Sequence, residues 1–287
     1  MADSAPRFSS RFTFLISALG IAVGTGNIWR FPRIVATNGS ENGAGSFLVA
    51  WIMFLFLWSI PLIIAEYVLG RQSRKGTVGA FAHFMGKPFA FLGGFVGFVS
   101  TAIAFYYSVV VGWNIYYFGS MTFNALPNTT ETSWEIWNNF QNGSFPILFH
   151  AIAMSVGGFA IYKGVSSIEK VNRILIPTLL VIVLISVVRA LMLPGSMAGI
   201  SYLFTPDWAQ LKEPRIWLEA LTQNAWDTGA GWGLFLTYAI YIKKRYGVIK
   251  NAFTVAIGNN LVSLMAAVMI FSTVFSILGN EMGMDKK

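Results

Sequence analysis

The sequence predicts an all-α integral membrane protein, and three observations carry that prediction. Of its 287 residues, 55% are hydrophobic and only 11% charged, with a mean hydropathy of +0.60; a soluble domain carries about 25% charged residues. Apolar runs recur at the length of roughly 20 residues that a membrane helix needs. Two of these runs are interrupted by glycine, at Gly20-Ile21-Ala22-Val23-Gly24-Thr25-Gly26-Asn27 and at Asp227-Thr228-Gly229-Ala230-Gly231-Trp232-Gly233. Unwound backbone in lipid is tolerated only where it is buried in protein or lines a wet cavity. Two such breaks, one with a carboxylate, point to a small charged solute held at the membrane midplane.

Seven candidate spans follow in order. Residues 12–37 are too long for a signal peptide and have no clear cleavage site behind them. Residues 44–69 and 89–120 are long apolar runs; 146–162 is short and interrupted by His150 and Gly157-Gly158. Residues 172–193 close at Pro194-Gly195, and 215–242 and 248–278 complete the set. Between them, Met121 to Phe145 is polar and reads as an external loop. Its Asn128-Thr129-Thr130 and Asn142-Gly143-Ser144 match a glycosylation acceptor pattern, with ordinary loop residues as the plainer reading. Residues 194–214 form a second external loop, and the inner loops are short and basic.

The net charge of +8 is a matter of topology. With the N-terminus cytoplasmic, the inner segments hold Arg7, Arg11, Arg71, Arg74, Lys75, Lys87, Lys163, Lys170, Arg173, Lys243, Lys244, Arg245 and Lys250, thirteen of the 20 Lys and Arg residues. This bias follows the positive-inside rule and leaves no call for a nucleic-acid partner. Cysteine is absent, which excludes disulfides, thiol catalysis and thiolate metal sites. No His or carboxylate cluster has metal-enzyme spacing, so the chain does not read as an enzyme.

The matching breaks in the first and sixth spans suggest a five-helix unit that restarts near residue 215. The expected organisation is a cytoplasmic N-terminus (1–11), a first five-helix repeat (12–193), an extracellular loop (194–214) and the first two helices of a second repeat (215–287), the remainder being absent. At each break, amides of one half-helix and carbonyls of the other face the gap. The amides suit a carboxylate and the carbonyls a cation; Asn27 adds an amide oxygen, a ligand that hard cations prefer. The competing reading of Gly20, Gly24 and Gly26 is helix packing through small residues.

The run Gly24-Thr25-Gly26-Asn27-Ile28-Trp29-Arg30-Phe31-Pro32 resembles the first-helix signature of the neurotransmitter:sodium symporters, the family of the bacterial leucine transporter. The likeness continues in Pro61-Leu62-Ile63-Ile64-Ala65-Glu66, Tyr106-Tyr107, Lys163-Gly164-Val165-Ser166 and Thr237-Tyr238-Ala239. It implies the leucine-transporter inverted-repeat fold, truncated after the seventh transmembrane helix, with helices 1 and 6 broken. It also implies a first sodium site from the carbonyl of Ala22 and the side chains of Asn27, Asp227 and Asn259, with Asp227 standing where a Thr is usual. Carbonyls of Gly20 and Val23 resemble half of a second sodium site. The amides of Thr25 and Gly26, with the Tyr107 hydroxyl, resemble a clamp for an amino-acid carboxylate. Ile103 and Trp232 would line the pocket, Gly229 would leave room on one side, and Trp226 would act as a lid. Arg30 resembles an outer-gate arginine whose acidic partner lies in a later helix.

Departures from the family carry expectations of their own. In chloride-dependent relatives a Ser at the Ser263 position and a Tyr at the Trp51 position help hold the anion. Ser263 and Gln223 fit, Trp51 does not, and Asp227 repels chloride, so no chloride requirement is expected. Phe8 stands where an inner-gate Trp is usual. Glu66 is read as a buried carboxylate hydrogen-bonded to the broken first helix.

The function expected is a sodium-coupled symporter of amino acids or related amine solutes, multi-pass in the plasma (inner) membrane, in contact with the lipid bilayer. The alternatives are a transport-incompetent fragment of such a transporter and a seven-helix receptor. The receptor requires an external N-terminus, which the Lys/Arg distribution disfavours. An intramembrane hydrolase lacks a paired acid or a Ser-His arrangement.

Overall fold

Ser10 starts the first helix: its hydroxyl accepts from the Thr13 N–H at 3.1 Å while the Thr13 hydroxyl accepts from the Ser10 N–H at 3.1 Å, a reciprocal cap. The computed structural model describes residues 7–243 and 245–281 and is helical throughout, with short 3₁₀ and π turns. Lys244, placed inside by the charge distribution, residues 1–6 of the expected cytoplasmic N-terminus and residues 282–287 of the expected second repeat lie outside the described residues.

Helix α1 (Arg11–Ala22) ends where Val23 turns extended, with ψ 117°. The chain re-enters through a π turn (Gly26–Arg30) into α2 (Phe31–Thr37), and the two halves are bent by 54°. Next, α3 (Gly45–Phe54) and α4 (Ile60–Ser73) run as one rod through a second π turn, Leu55–Ser59. That turn lies just before Pro61, whose missing N–H removes a helical hydrogen bond and favours a widened turn. Helix α5 (Thr77–Met85) lies against α6 (Ala90–Phe123). Gly93 makes this approach possible, since a Cβ there would sit 2.5 Å from the Thr77 carbonyl oxygen. Helices α7 (Thr130–Gln141) and α8 (Phe145–Ile161) meet at 71°, and α9 (Val165–Leu191) carries Pro177 within it. The order ends with α10 (Ser196–Phe204), α11 (Pro214–Thr228), α12 (Leu234–Ala239) and α13 (Val248–Glu281).

Among the described residues, four stretches are long and apolar enough to cross a membrane: Gly45–Ser73, Lys87–Phe123, Val165–Leu191 and Val248–Leu278. The bent pairs α1 with the Gly26–Thr37 segment, and α7 with α8, pass the same test as pairs. The segment read as a sixth span differs. Its α11 has 15 residues, its α12 has 6, and neither alone reaches about 30 Å at 1.5 Å per residue. Both expected external loops are also partly helical. Residues 121–145 contain α7, capped by Thr129, and 194–214 contain α10 and a 3₁₀ turn at Trp208–Lys212.

Two apolar clusters organise the packing. One gathers Phe8, Phe14, Ala22, Tyr67, Ala230, Phe235 and Ala256; the other gathers Phe31, Phe47, Trp51, Leu203, Ala220, Ala267 and Phe271. Besides the short apolar step from Leu55 back to Trp51, three paths along the chain leave the first cluster and enter the second: Ala22 to Phe31, Ala230 back to Ala220, and Ala256 to Ala267. The residues passed on the way are Asn27, Asp227, Asn259 and Ser263. A buried polar belt therefore lies between two dry cores.

Candidate functional site

The break in α11–α12 is set by backbone conformation. Gly229 and Gly233 take φ +64° and +74°, left-handed values that side chains other than glycine's disfavour. Helix α11 thus stops at Thr228, and four residues of irregular chain precede Gly233. The freed donors of this stretch go to one carboxylate. Glu66 Oε1 accepts from Gly231 N–H at 2.6 Å and Gly233 N–H at 3.2 Å, and Oε2 accepts from Leu236 N–H at 3.0 Å. This corrects the expectation for Glu66: its partner is the second break, not the first. A carboxylate is best satisfied by several converging amides, and the start of α12 offers them.

The first break is held differently. Gly24 N–H donates to Asn27 Oδ1 at 2.8 Å, so the Asn27 side chain closes the unwound turn. Gly26 allows the two breaks to touch: a Cβ there would lie 3.1 Å from Asp227 Oδ1 and 3.2 Å from Trp226 Cδ1. Nothing lies within 4 Å of a Cβ at Gly24, so that position faces open space.

Around this contact the polar belt forms a continuous hydrogen-bonded chain. Asn27 Nδ2 donates to Asn259 Oδ1 and to Ser263 Oγ, each at 2.8 Å. Ser263 Oγ donates to Asp227 Oδ2 at 3.0 Å, and Gln223 Nε2 donates to Asp227 Oδ1 at 2.6 Å. Arg30 donates to Gln223 Oε1 and stands 5.7 Å over the Trp226 ring. Asn27, Asn259, Ser263 and Gln223 are fully buried, and Asp227 is 2% exposed. Three side-chain oxygens, those of Asn259 and Asp227, lie along this one buried chain of hydrogen bonds, and the Arg30 guanidinium joins it one step removed, through Gln223. Such a set suits a hard monovalent cation. In this arrangement the Asn27 oxygen serves Gly24; a half-turn of the amide would bring it to Asn259.

The remaining expected site residues are distributed as follows. Trp226 is the centre of an aromatic group, with Tyr107 stacked at 6.2 Å, Tyr106 edge-on at 6.3 Å and Trp232 edge-on at 5.5 Å. Ile103 and Thr25 are half-buried. Beside Gly229 a Cβ would find only Ile21 and Trp232, at 3.8 and 3.9 Å. Ala22 and Val23 are buried where α1 ends. Gly20 lies farther down α1 against the Asn172 amide, 3.1 Å from a notional Cβ. It is therefore apart from the Asn27–Asp227 group.

Two participants carried a sequence signal that spacing alone would have given. Gln223 precedes Asp227 by four residues and Ser263 follows Asn259 by four, so each pair shares a helix face. A second buried knot, in which Asn224 Nδ2 donates to the Trp51 carbonyl at 2.6 Å and the Thr228 hydroxyl to Ser59 at 3.1 Å, shows the same four-residue spacing on α11, while its partners on the α3–α4 rod carried no signal. It fixes α11 to the π turn of the α3–α4 rod. A cavity of about 830 Å³ lies away from this belt, between Trp29, Arg33, Tyr202 and Phe275.

The fold is shared with known proteins. The chain is similar to a structure of MhsT in complex with L-phenylalanine, at TM-score 0.82 and 31% identity, over 96% of this chain and 62% of that one. An uncharacterized sodium-dependent transporter of Methanocaldococcus jannaschii is 31% identical over 276 residues, covering 93% of this chain and 55% of its own. The sodium-dependent neutral amino acid transporter B(0)AT2 of Pongo abelii is 28% identical, covering 94% and 40%. The chain thus spans about half the length of the curated relatives it matches. The model of the sodium:neurotransmitter symporter family matches residues 5–145 and 142–285, and the protein belongs to that family.

Proposed function

We propose that the protein takes part in sodium-coupled uptake of a neutral amino acid, with its cation held in the polar belt between the two breaks. The observation that carries this reading is the buried hydrogen-bonded chain that joins Asn259, Asn27, Ser263 and Asp227, from three helices, beside Gly26. Asp227 and Asn259 supply the anionic and amide oxygens, Asn27 joins them after rotation of its amide, and the Ala22 carbonyl closes the set. The carbonyls of Gly20 and Val23 serve a second ion. The substrate carboxylate meets the amides of Thr25 and Gly26 and the hydroxyl of Tyr107. Its side chain lies among Ile103, Gly229, Trp226 and Trp232, with Trp226 as lid and Arg30 as gate. The relatives' names, which speak of sodium-dependent transport of neutral amino acids, support this substrate class.

The same reading dispenses with chloride. Gln223 and Ser263, the donors that would hold an anion, already donate to Asp227, which supplies a fixed negative charge in its place. In this proposal residues 12–193 form the first repeat and 215–287 open the second. The N-terminus is cytoplasmic in the plasma (inner) membrane, in keeping with the Lys/Arg distribution. Alternating access moves the two broken helices together, and ion and substrate each raise the other's affinity. Uptake of radiolabelled neutral L-amino acids into proteoliposomes tests it. Accumulation that follows an inward sodium gradient, and survives replacement of chloride by gluconate, is expected. Equal uptake with and without sodium would sink the proposal.

A further inference from the structure

We propose that Ser100 is a positioning residue for the substrate pocket: it holds the main-chain carbonyl of Trp232 and so sets where the Trp232 indole stands. This deepens the functional reading above and rests on it for the identity of the pocket.

The argument begins with the carbonyls of the second break. Unwinding leaves this stretch without its helical partners, and on the donor side Glu66 collects three amides. On the acceptor side the Trp232 carbonyl receives the Ser100 hydroxyl from α6. Ser100, Ile103 and Tyr107 are spaced at i, i+3 and i+7, which places them on one face of α6. That face meets the break closely. A Cβ on Gly233 would lie 2.8 Å from Val96 Cγ1 and 2.5 Å from Thr77 Cγ2. The hydroxyl therefore acts across a tight, part-buried contact one turn before Ile103 and holds the main chain of the break there.

The hydroxyl has a second acceptor. Its oxygen is also 3.0 Å from the Val96 carbonyl of its own helix, the back-bonding position that helical serines use. A serine has one proton to give. When the break moves away from α6, the proton can turn to Val96 and no buried donor is orphaned. The hydroxyl thus has a partner with or without this bond, and the cost of breaking it falls on the Trp232 carbonyl alone. While it is made, the indole of Trp232 is held edge-on against Trp226, and the width of the pocket is fixed by two aromatic rings.

The experiment compares the intact protein with its Ser100→Ala and Ser100→Thr variants in two measurements. The first is sodium-dependent binding of radiolabelled L-phenylalanine and L-alanine to detergent-solubilised protein. The second is fluorine NMR of 5-fluorotryptophan protein, with the Trp232 resonance assigned by its loss in Trp232→Phe. Loss of one neutral hydrogen bond corresponds to about a two- to tenfold change in an equilibrium constant. Ser100→Ala is expected to weaken binding by that factor and to shift or broaden the Trp232 resonance, and Ser100→Thr, which keeps the hydroxyl, to restore both. An unchanged affinity or an unmoved resonance in Ser100→Ala overturns the inference. If the wild type binds neither amino acid in sodium, the functional reading is what fails, and the resonance still decides whether Ser100 places Trp232.

Discussion

Asn27 and Asn259, 232 positions apart in sequence, meet amide to amide at 2.8 Å with both side chains fully buried. One lies at the end of the first break and the other inside the uninterrupted α13. The contact ties a segment that has lost its own helical bonds to a helix that keeps all of its own. Because Asn27 also accepts from Gly24 and donates to Ser263, its amide is satisfied on both ends.

Asn259→Ala removes one acceptor from Asn27 and, in the proposed function, one ligand from the ion. A buried donor deprived of its partner costs about 1–3 kcal/mol, so a lower apparent Tm in detergent is expected. More telling is the effect of sodium. A cation that binds only the folded state raises Tm with its concentration; this rise is expected in the wild type and expected to vanish in Asn259→Ala. A variant that sodium still protects fully would remove Asn259 from the ion site.

Asp227→Asn keeps the shape of the residue and deletes its charge. Sodium affinity is expected to fall at least about tenfold, since a buried carboxylate is the strongest available attraction for a cation. Gln223 and Ser263 then have no anion to donate to. Added chloride is expected to recover part of the lost affinity in the variant and to do nothing in the wild type. Sodium titration of amino-acid binding in chloride and in gluconate reads both effects, and a variant indifferent to the anion counts against the substitution of a fixed charge for chloride.

Glu66 separates what the sequence can convey from what it cannot. Glycine clusters inside apolar runs mark where helices stop, and the positions of both discontinuities, at Val23–Thr25 and Gly229–Gly233, were legible on that ground. A lone carboxylate in an apolar helix signals a polar partner but not which one. Helix α4 carries Glu66 past α12 rather than α1, and only packing of Gly70 against the Leu236 carbonyl shows that. The helix inside 121–145 was hidden because polar composition was read as loop, although Thr129 and Thr132 form a recognisable cap, and the nine-residue α10 inside 194–214 lies between Pro194-Gly195 and Pro206, which were read as loop punctuation. The Asn27, Asp227 and Asn259 group was legible through family resemblance; the exchange of partners within it depends on rotamers. Glu66→Gln tests the corrected assignment. One of its oxygens becomes a donor facing the α12 amides, so solvent exchange of the Gly231, Gly233 and Leu236 amides is expected to quicken, with amides of the Val23–Gly26 turn unaffected.

Two glycine substitutions bracket the packing argument. In Gly70→Ala the new Cβ would overlap the Leu236 carbonyl oxygen, and backbone cannot step aside as a side chain can. Loss of α4–α12 docking is expected, seen as aggregation or poor yield on size-exclusion chromatography. In Gly24→Ala the methyl group enters open space, and Gly24 is not among the glycines held at positive φ. That variant is expected to fold as the wild type does, with any defect confined to ligand binding.

Asp207 supplies a pH-dependent fastening outside the spans. Its carboxylate accepts from Asn42 Nδ2 at 3.1 Å, from the Ser40 hydroxyl at 2.9 Å and from the Ala209 N–H at 3.2 Å. These bonds, that from Asn42 foremost, hold its pKa below the ordinary value of 3.8. A depressed carboxyl pKa contributes stability above the unfolded value, and that contribution is lost as pH falls through the folded one. The Ser40–Ser46 turn and the Asp207–Lys212 segment are therefore expected to stay joined at neutral pH and to loosen below about pH 3.8. Hydrogen exchange of the Asn42 and Ala209 amides across pH 3–6, corrected for intrinsic rates, reports this. Asp207→Asn is expected to exchange faster at pH 6 and to lose the pH dependence, because an amide accepts these bonds without charge at every pH. A wild type whose protection in this region is flat from pH 6 to pH 3 would exclude Asp207 as the fastening.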